Sequence, residues 1–211
     1  MVARVSSKVS SFFIAYGIIP ENDRDVYAYS FEVLFSTLLS FLALAVIAIF
    51  TKTVLETAIF LLGFVPLRLI AGGYHAKNHF RCFLILMFVY CTFLVVIFFL
   101  PPSYIVPVIL SSVILSVLLV FLIAPSEDSN KPITGSEKVR FRKASRFTIV
   151  CYALVIGLAT VLLPDRMCAC SFALGIVTVG ISLLANLIKC KKQGRKESCS
   201  AQRGGNDIEE V

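Results

Sequence analysis

The chain has 211 residues, 58% of them hydrophobic and 16% charged, with a mean hydropathy of +0.88, whereas a soluble domain carries about 45–50% apolar and about 25% charged residues. This balance excludes an ordinary soluble domain and points to an integral membrane protein of one domain, with no long polar stretch left to build a second. The net charge of +7 is not a nucleic-acid footprint, because the basic residues lie in loops and a tail beside apolar runs, as the positive-inside bias requires.

Residues 1–29 do not read as a signal peptide. Arg4 and Lys8 are followed by neither a long continuous apolar core nor a small-residue cleavage site. Val5, Val9, Phe12, Phe13 and Tyr16 recur at helical spacing with serines between them. This predicts an amphipathic helix lying on the membrane or packed on a bundle.

Six spans follow, each set against the roughly 17–25 residues a crossing needs. They are expected near 31–50, 53–69, 82–100, 104–124, 147–163 and 170–188. Pro101-Pro102, Pro125 and Pro164 close the third, fourth and fifth. The expected fold is therefore all-α, a polytopic membrane protein of about six helices behind an N-terminal amphipathic helix. Residues 1–190 form its one domain, and the polar stretch 191–211 is expected to be disordered.

Charge orients the spans. Lys131, Lys138, Arg140, Arg142, Lys143 and Arg146 follow the fourth span, and Lys189, Lys191, Lys192, Arg195, Lys196 and Arg203 follow the sixth. Both segments belong in the cytoplasm, as do Arg4 and Lys8 before the first span and Arg68, Lys77 and Arg81 around the third. Six spans with both termini inside satisfy every charged segment except Lys52.

Seven cysteines are present: Cys82, Cys91, Cys151, Cys168, Cys170, Cys190 and Cys199. Their odd number and largely intramembrane placement argue against a disulfide framework. Cys91 and Cys151 read as small core hydrophobes, and the Cys168/Cys170 pair is a weak redox or metal signal.

The segment from Arg68 to Cys82 is different. It lies between two apolar runs, yet it contains both histidines, His75 and His79, together with Gly72-Gly73, three basic residues and a cysteine. Ionisable groups beside a bilayer are a functional signal, and a His near a Cys suggests a thiolate nucleophile with a base. One unbroken helix would hold His75 and Cys82 about 10 Å apart, too far for direct proton transfer. Gly72-Gly73 permits a break and Asn78 is a good N-cap. A helix is thus expected to begin near His79, with Cys82 in its first turn. There the helix dipole and Arg81 favour a thiolate, and unpaired N–H groups can stabilise an oxyanion. Two alternatives stand beside this one. His75, His79 and Cys82 at i, i+4 and i+7 on an unbroken helix would face one metal ion, or the segment is interfacial and structural.

This segment resembles the AgrB family of membrane peptidases, which process the autoinducing-peptide precursor AgrD in bacterial quorum sensing. The matching elements are Arg68, Gly73, His75 and Cys82, with six residues between the His and the Cys. A second match is Ala124-Pro125 followed by Asn130-Lys131-Pro132-Ile133, and a third is the N-terminal segment followed by Tyr29 and Glu32. His79 is outside the family pattern.

The resemblance implies a cysteine endopeptidase with Cys82 as nucleophile and His75 as general base. It cleaves an AgrD-like precursor through an acyl-enzyme thioester and closes a thiolactone or lactone ring. Arg68, Gly73, Lys131 and Glu32 are the supporting or substrate-binding candidates, and Glu32 is a candidate third catalytic member. The resemblance implies no cofactor, partners limited to the precursor and membrane lipids, a bacterial cytoplasmic membrane, and is compatible with a homodimer. The rival functions are a small peptide transporter or exporter, and a metal-binding membrane protein using His75, His79 and Cys82.

Overall fold

The computed structural model describes residues 2–16, 20–72, 79–125, 135–162 and 165–206. Among them are seven α-helices and no strand: α1 (Val2–Ala15), α2 (Arg24–Thr51), α3 (Val54–Ala71), α4 (His79–Phe99), α5 (Ile105–Ile123), α6 (Gly135–Leu162) and α7 (Met167–Asn206). Helices α2 to α7 are each long and apolar enough to cross a membrane. The protein is thus all-helical and multi-pass, as its hydropathy predicts.

Two helix ends depart from expectation. Helix α6 starts at Gly135, twelve residues before the expected span, and α7 runs on to Asn206 in a stretch expected to lack structure. The reason is shared. Lys, Arg, Glu, Gln and Ala favour helix, and extending an existing helix avoids the cost of nucleating a new one. A crossing therefore ends where the polar residues begin, but its helix need not.

The chain divides into two compact units. The first comprises Met1–Val54 and Ala76–Val95, and the second Leu55–His75 and Val96–Val211.

In the first unit α1 packs along α2. The face it buries is its serine face: Ser6 and Ser10 are 1% and 0% exposed, while Phe12 and Tyr16 are 57% and 70% exposed. Ser10 donates to the Arg24 carbonyl at 3.2 Å and Arg24 donates back to Ser11 at 3.0 Å. Phe13 stacks on Phe31 with centroids 5.5 Å apart. Small hydroxylated residues allow backbones to approach closely, which is how helices pair when apolar burial offers little gain over lipid. The outward aromatic pair suits a membrane interface, where such rings are enriched.

In the second unit α7 is central. Of its membrane-length stretch 56% is buried, against 33% for α3, 28% for α5 and 17% for α6. Its Cys170, Ala173, Ile176, Val179 and Leu183 meet Leu67 and Ala71 of α3, Ile109 and Val120 of α5, and Ile149 and Ile156 of α6. Glycines set the closest approaches. A Cβ on Gly63 would stand 2.9 Å from the Phe172 carbonyl, one on Gly175 would run into the Phe60 carbonyl, and one on Gly180 would meet Leu119 Cδ1 at 3.1 Å. Gly175 lies against Phe60 and Phe64, and Ser182 bonds to Arg68, so α3 and α7 run side by side in the same direction.

Candidate functional site

Cys82 lies in the first turn of α4, which begins at His79, as the break expected after Gly72-Gly73 requires. Its side chain is exposed, and so is that of Arg81 before it. The first four N–H groups of a helix have no intrahelical acceptor, so this thiol stands among backbone donors and near the positive end of a peptide dipole.

Of the other expected site residues, Gly73, His75 and Lys131 lie outside the described residues. So does the side chain of His79, although its backbone opens α4. The metal-binding alternative rests on those two histidines. Among the described residues no three His, Cys, Asp or Glu side chains come together as metal ligands. Glu32 is half-buried on α2.

Arg68 sits in the last turn of α3. Its Nη1 donates to Ser182 Oγ of α7 at 2.6 Å, and its guanidinium carbon lies 5.6 Å from the centre of the Phe64 ring. That ring stacks in turn on Phe60 at 5.9 Å. The guanidinium is thus held on two sides, by a charge-assisted hydrogen bond and by an aromatic face. The backbone of Arg68 is engaged as well. Gly72 adopts φ +80° and donates its N–H to the Arg68 carbonyl at 3.0 Å. A left-handed glycine is the usual way for a helix to end, so α3 stops here through a bond to Arg68. One turn beyond Ser182, Asn186 is 2% exposed.

The Ala124-Pro125 motif has a structural reading of its own. Pro125 has no N–H to give the Phe121 carbonyl four residues back. Arg146 of α6 gives one instead, from Nη2 at 3.1 Å, with its guanidinium carbon 5.2 Å from the Phe121 ring centre. Its Nε is buried and meets no acceptor among the described residues. On the same part of α6, Arg140, Arg142 and Lys143 are exposed. Arg68, Ser182, Phe121, Arg146 and this basic row therefore collect at one end of the second unit.

Ser182, Asn186 and the latch role of Arg146 were not singled out in the sequence. The signals were present but faint. Ser182 and Asn186 are four apart, on one helical face, in a span otherwise poor in amides, and Pro125 follows Phe121 at the spacing of one helical hydrogen bond.

A family model described as accessory gene regulator B, AgrB, matches residues 6–183 of the chain. No curated protein and no solved structure matches it. The match reaches both units and covers Glu32, Arg68, Cys82, Arg146 and Ser182, ending before Asn186, and the chain belongs to the AgrB family.

Proposed function

From the chain's membership of the AgrB family, which processes the AgrD precursor of an autoinducing peptide, we propose that it is a membrane cysteine endopeptidase that also closes the peptide ring. Cys82 is the nucleophile and His75 the general base. The observation that carries this reading is an exposed thiol in the first turn of α4, seven residues after a histidine, within the matched region.

The chemistry follows in two steps. The Cys82 sulfur, relieved of its proton by His75, attacks a backbone carbonyl carbon of the precursor. A C–S bond forms, and backbone N–H groups at the start of α4 offset the charge on the oxygen. The C–N bond breaks, His75 returns the proton to the leaving amine, and the C-terminal tail departs. A thiol or hydroxyl within the bound peptide then attacks the thioester. It closes a thiolactone or lactone and releases Cys82 as a thiol. Holding that internal nucleophile near the thioester gives it the advantage of effective concentration, and keeping water away prevents a linear product.

Supporting roles go to Arg68, Gly73 and Lys131, with Glu32 as the candidate orienting carboxylate for His75. The exposed row Arg140, Arg142 and Lys143 offers charge for an acidic tail. Residues 1–190 act as one peptidase domain in the bacterial cytoplasmic membrane, with both termini and the reacting groups on the cytoplasmic side. The basic segments before α2, around α4, on α6 and at the end of α7 support that orientation.

The test is mass spectrometry of an AgrD-like precursor incubated with the full chain in liposomes, comparing wild type with Cys82→Ala. A thioester adduct, or a released tail with a dehydrated peptide, is expected only with Cys82. Cleavage by the alanine variant would sink the proposal. A folded wild type that leaves membrane-bound precursor uncut and unmodified would favour transport or metal binding.

A further inference from the structure

We infer that α5 and α6 form a site for one anionic phospholipid, with its phosphate on Arg142, Lys143 and Arg146 of α6 and an acyl chain in an apolar groove along α5. The site lies within the second unit and does not depend on the peptidase reading.

Three observations carry the inference. First, Val113, Ile114, Val117, Leu118 and Phe121 line a groove of about 450 Å³. They recur at i, i+1, i+4, i+5 and i+8, so the groove follows one face of α5. Eight residues at about 1.5 Å rise make it about 12 Å long, close to the about 15 Å that one leaflet contributes to a hydrocarbon core of about 30 Å. Second, Phe121 at the end of this groove is the residue that Arg146 holds. The guanidinium carbon lies 5.2 Å from its ring centre, and Nη2 donates to its carbonyl at 3.1 Å. A cation is thus fixed at one end of an apolar groove, where α6 begins. Third, Arg142 and Lys143 precede Arg146 by four and three residues, so all three share a face of α6. Arg142 and Lys143 are exposed, and among the described residues no carboxylate pairs with any of the three. Glu137, the one acid of α6, lies nearer its start and off that face.

One class of partner uses both parts. A phosphodiester accepts several charge-assisted hydrogen bonds from guanidinium and ammonium groups, while its acyl chain fills the groove. An acidic peptide would engage the cations and leave the groove without an occupant. A second copy docked through this face about a two-fold axis would set its own basic row against this one, at a like-charge cost. A zwitterionic lipid carries a cation that the row repels. Arg140, two residues from Arg142 and so on the other side of α6, stays open to an acidic tail.

The experiment uses the full chain in detergent micelles, titrated with phosphatidylglycerol or with phosphatidylcholine of the same chains. Native mass spectrometry counts the bound lipid. Wild type should retain one phosphatidylglycerol per chain and lose phosphatidylcholine readily. A basic side chain at an anionic membrane surface is worth about fivefold in affinity, so Arg142→Gln/Lys143→Gln should weaken phosphatidylglycerol about twenty-five-fold. Ile114→Trp and Leu118→Trp fill the groove from positions that are 67% and 54% exposed and leave every charge in place. Each should weaken the lipid several-fold. Arg166→Gln removes an exposed charge just before α7, at the far end of α6, and should bind as wild type does.

Unfolding temperature gives a second readout. Without lipid these surface variants should match wild type. Added phosphatidylglycerol should raise the midpoint of wild type, and far less that of Arg142→Gln/Lys143→Gln.

Equal retention of the two lipids, full affinity in both tryptophan variants, or a loss in Arg166→Gln as large as in the row would each overturn the inference. Displacement of the lipid by glycerol phosphate would also overturn it, by assigning the cations to a free phosphate. Preference for an oligoglutamate peptide would do the same in favour of an acidic partner. A tryptophan variant that dissociates a dimer yet keeps phosphatidylglycerol would assign the groove to a second copy.

Discussion

Arg146 gives the Phe121 carbonyl the hydrogen bond that Pro125 cannot, at 3.1 Å from Nη2. A side chain from α6 thereby completes the backbone of α5 and ties the end of one helix to the start of the next. The same guanidinium lies over the Phe121 ring, so one residue of α5 is held through both its backbone and its side chain. The segment carrying Asn130, Lys131 and Pro132 runs between two helices fixed to each other in this way.

Replacing Arg146 with Gln should therefore cost stability of about 1.5–3 kcal/mol, the range for a hydrogen bond to a charged group. Arg146→Lys should retain part of it, since an ammonium keeps the charge but not the planar fork or its stacking. Reversible unfolding of the two variants in detergent micelles checks the order wild type, Lys, Gln. Equal midpoints for all three would show that the latch contributes nothing.

The glycines of the second unit give a paired prediction. Gly175→Ala places a methyl group against the backbone carbonyl of Phe60, which can move only with its helix. A loss of about 1–3 kcal/mol is expected, as for an overpacked core. Gly157→Ala has nothing within 4 Å of the new methyl. It should be neutral or up to about 1 kcal/mol stabilising through helix propensity. Unfolding midpoints of the two variants, taken together, test whether the α3–α7 approach is as tight as described.

In the first unit Ser10 is 0% exposed and bonded to the Arg24 carbonyl. Ser10→Leu should force α1 away from α2, whereas Phe12→Leu, on the outward face, should leave the pair intact. Hydrogen exchange across 6–13 distinguishes them, with faster exchange expected only for Ser10→Leu. Equal protection in the two variants would mean that α1 is not held by its serine face.

Cysteine labelling tests exposure and sidedness together. Cys82 and Cys190 are exposed while Cys170 is buried. A membrane-impermeant maleimide applied to inside-out vesicles should modify Cys82 and Cys190 and spare Cys170. Right-side-out vesicles should show neither modification. Labelling of Cys82 from the outer face would reverse the proposed orientation.

Much of this architecture was legible because a bilayer imposes a simple rule: long apolar runs must be helices, and prolines and charges punctuate them. The start of α4 at His79 could be read from Gly72-Gly73 and Asn78, because backbone permissiveness and capping act locally. The long α6 could not, since hydropathy reports where the membrane stops and says nothing of where a helix does. Nor could the serine face of α1 be assigned to the inside. An aqueous reading buries Phe12 and Tyr16, whereas at a membrane interface they face outward and small residues do the packing. The linkage of Arg68 to Ser182 was beyond reach for another reason. It joins two helices 114 residues apart, and a serine in an apolar span gives no sign of which helix it meets.

The side-by-side, same-direction packing of α3 and α7 bears on how the protein is made. These helices are the second and the last of the six membrane-length helices to leave the ribosome. When α3 enters the bilayer, the groove at Gly63 has no partner, and it stays open while α4, α5 and α6 are synthesised. Assembly of the second unit can therefore be completed only after translation of α7. A chain stopped before Met167 would leave Arg68 without its hydroxyl partner, and cellular quality control would meet a protein whose central helix is missing.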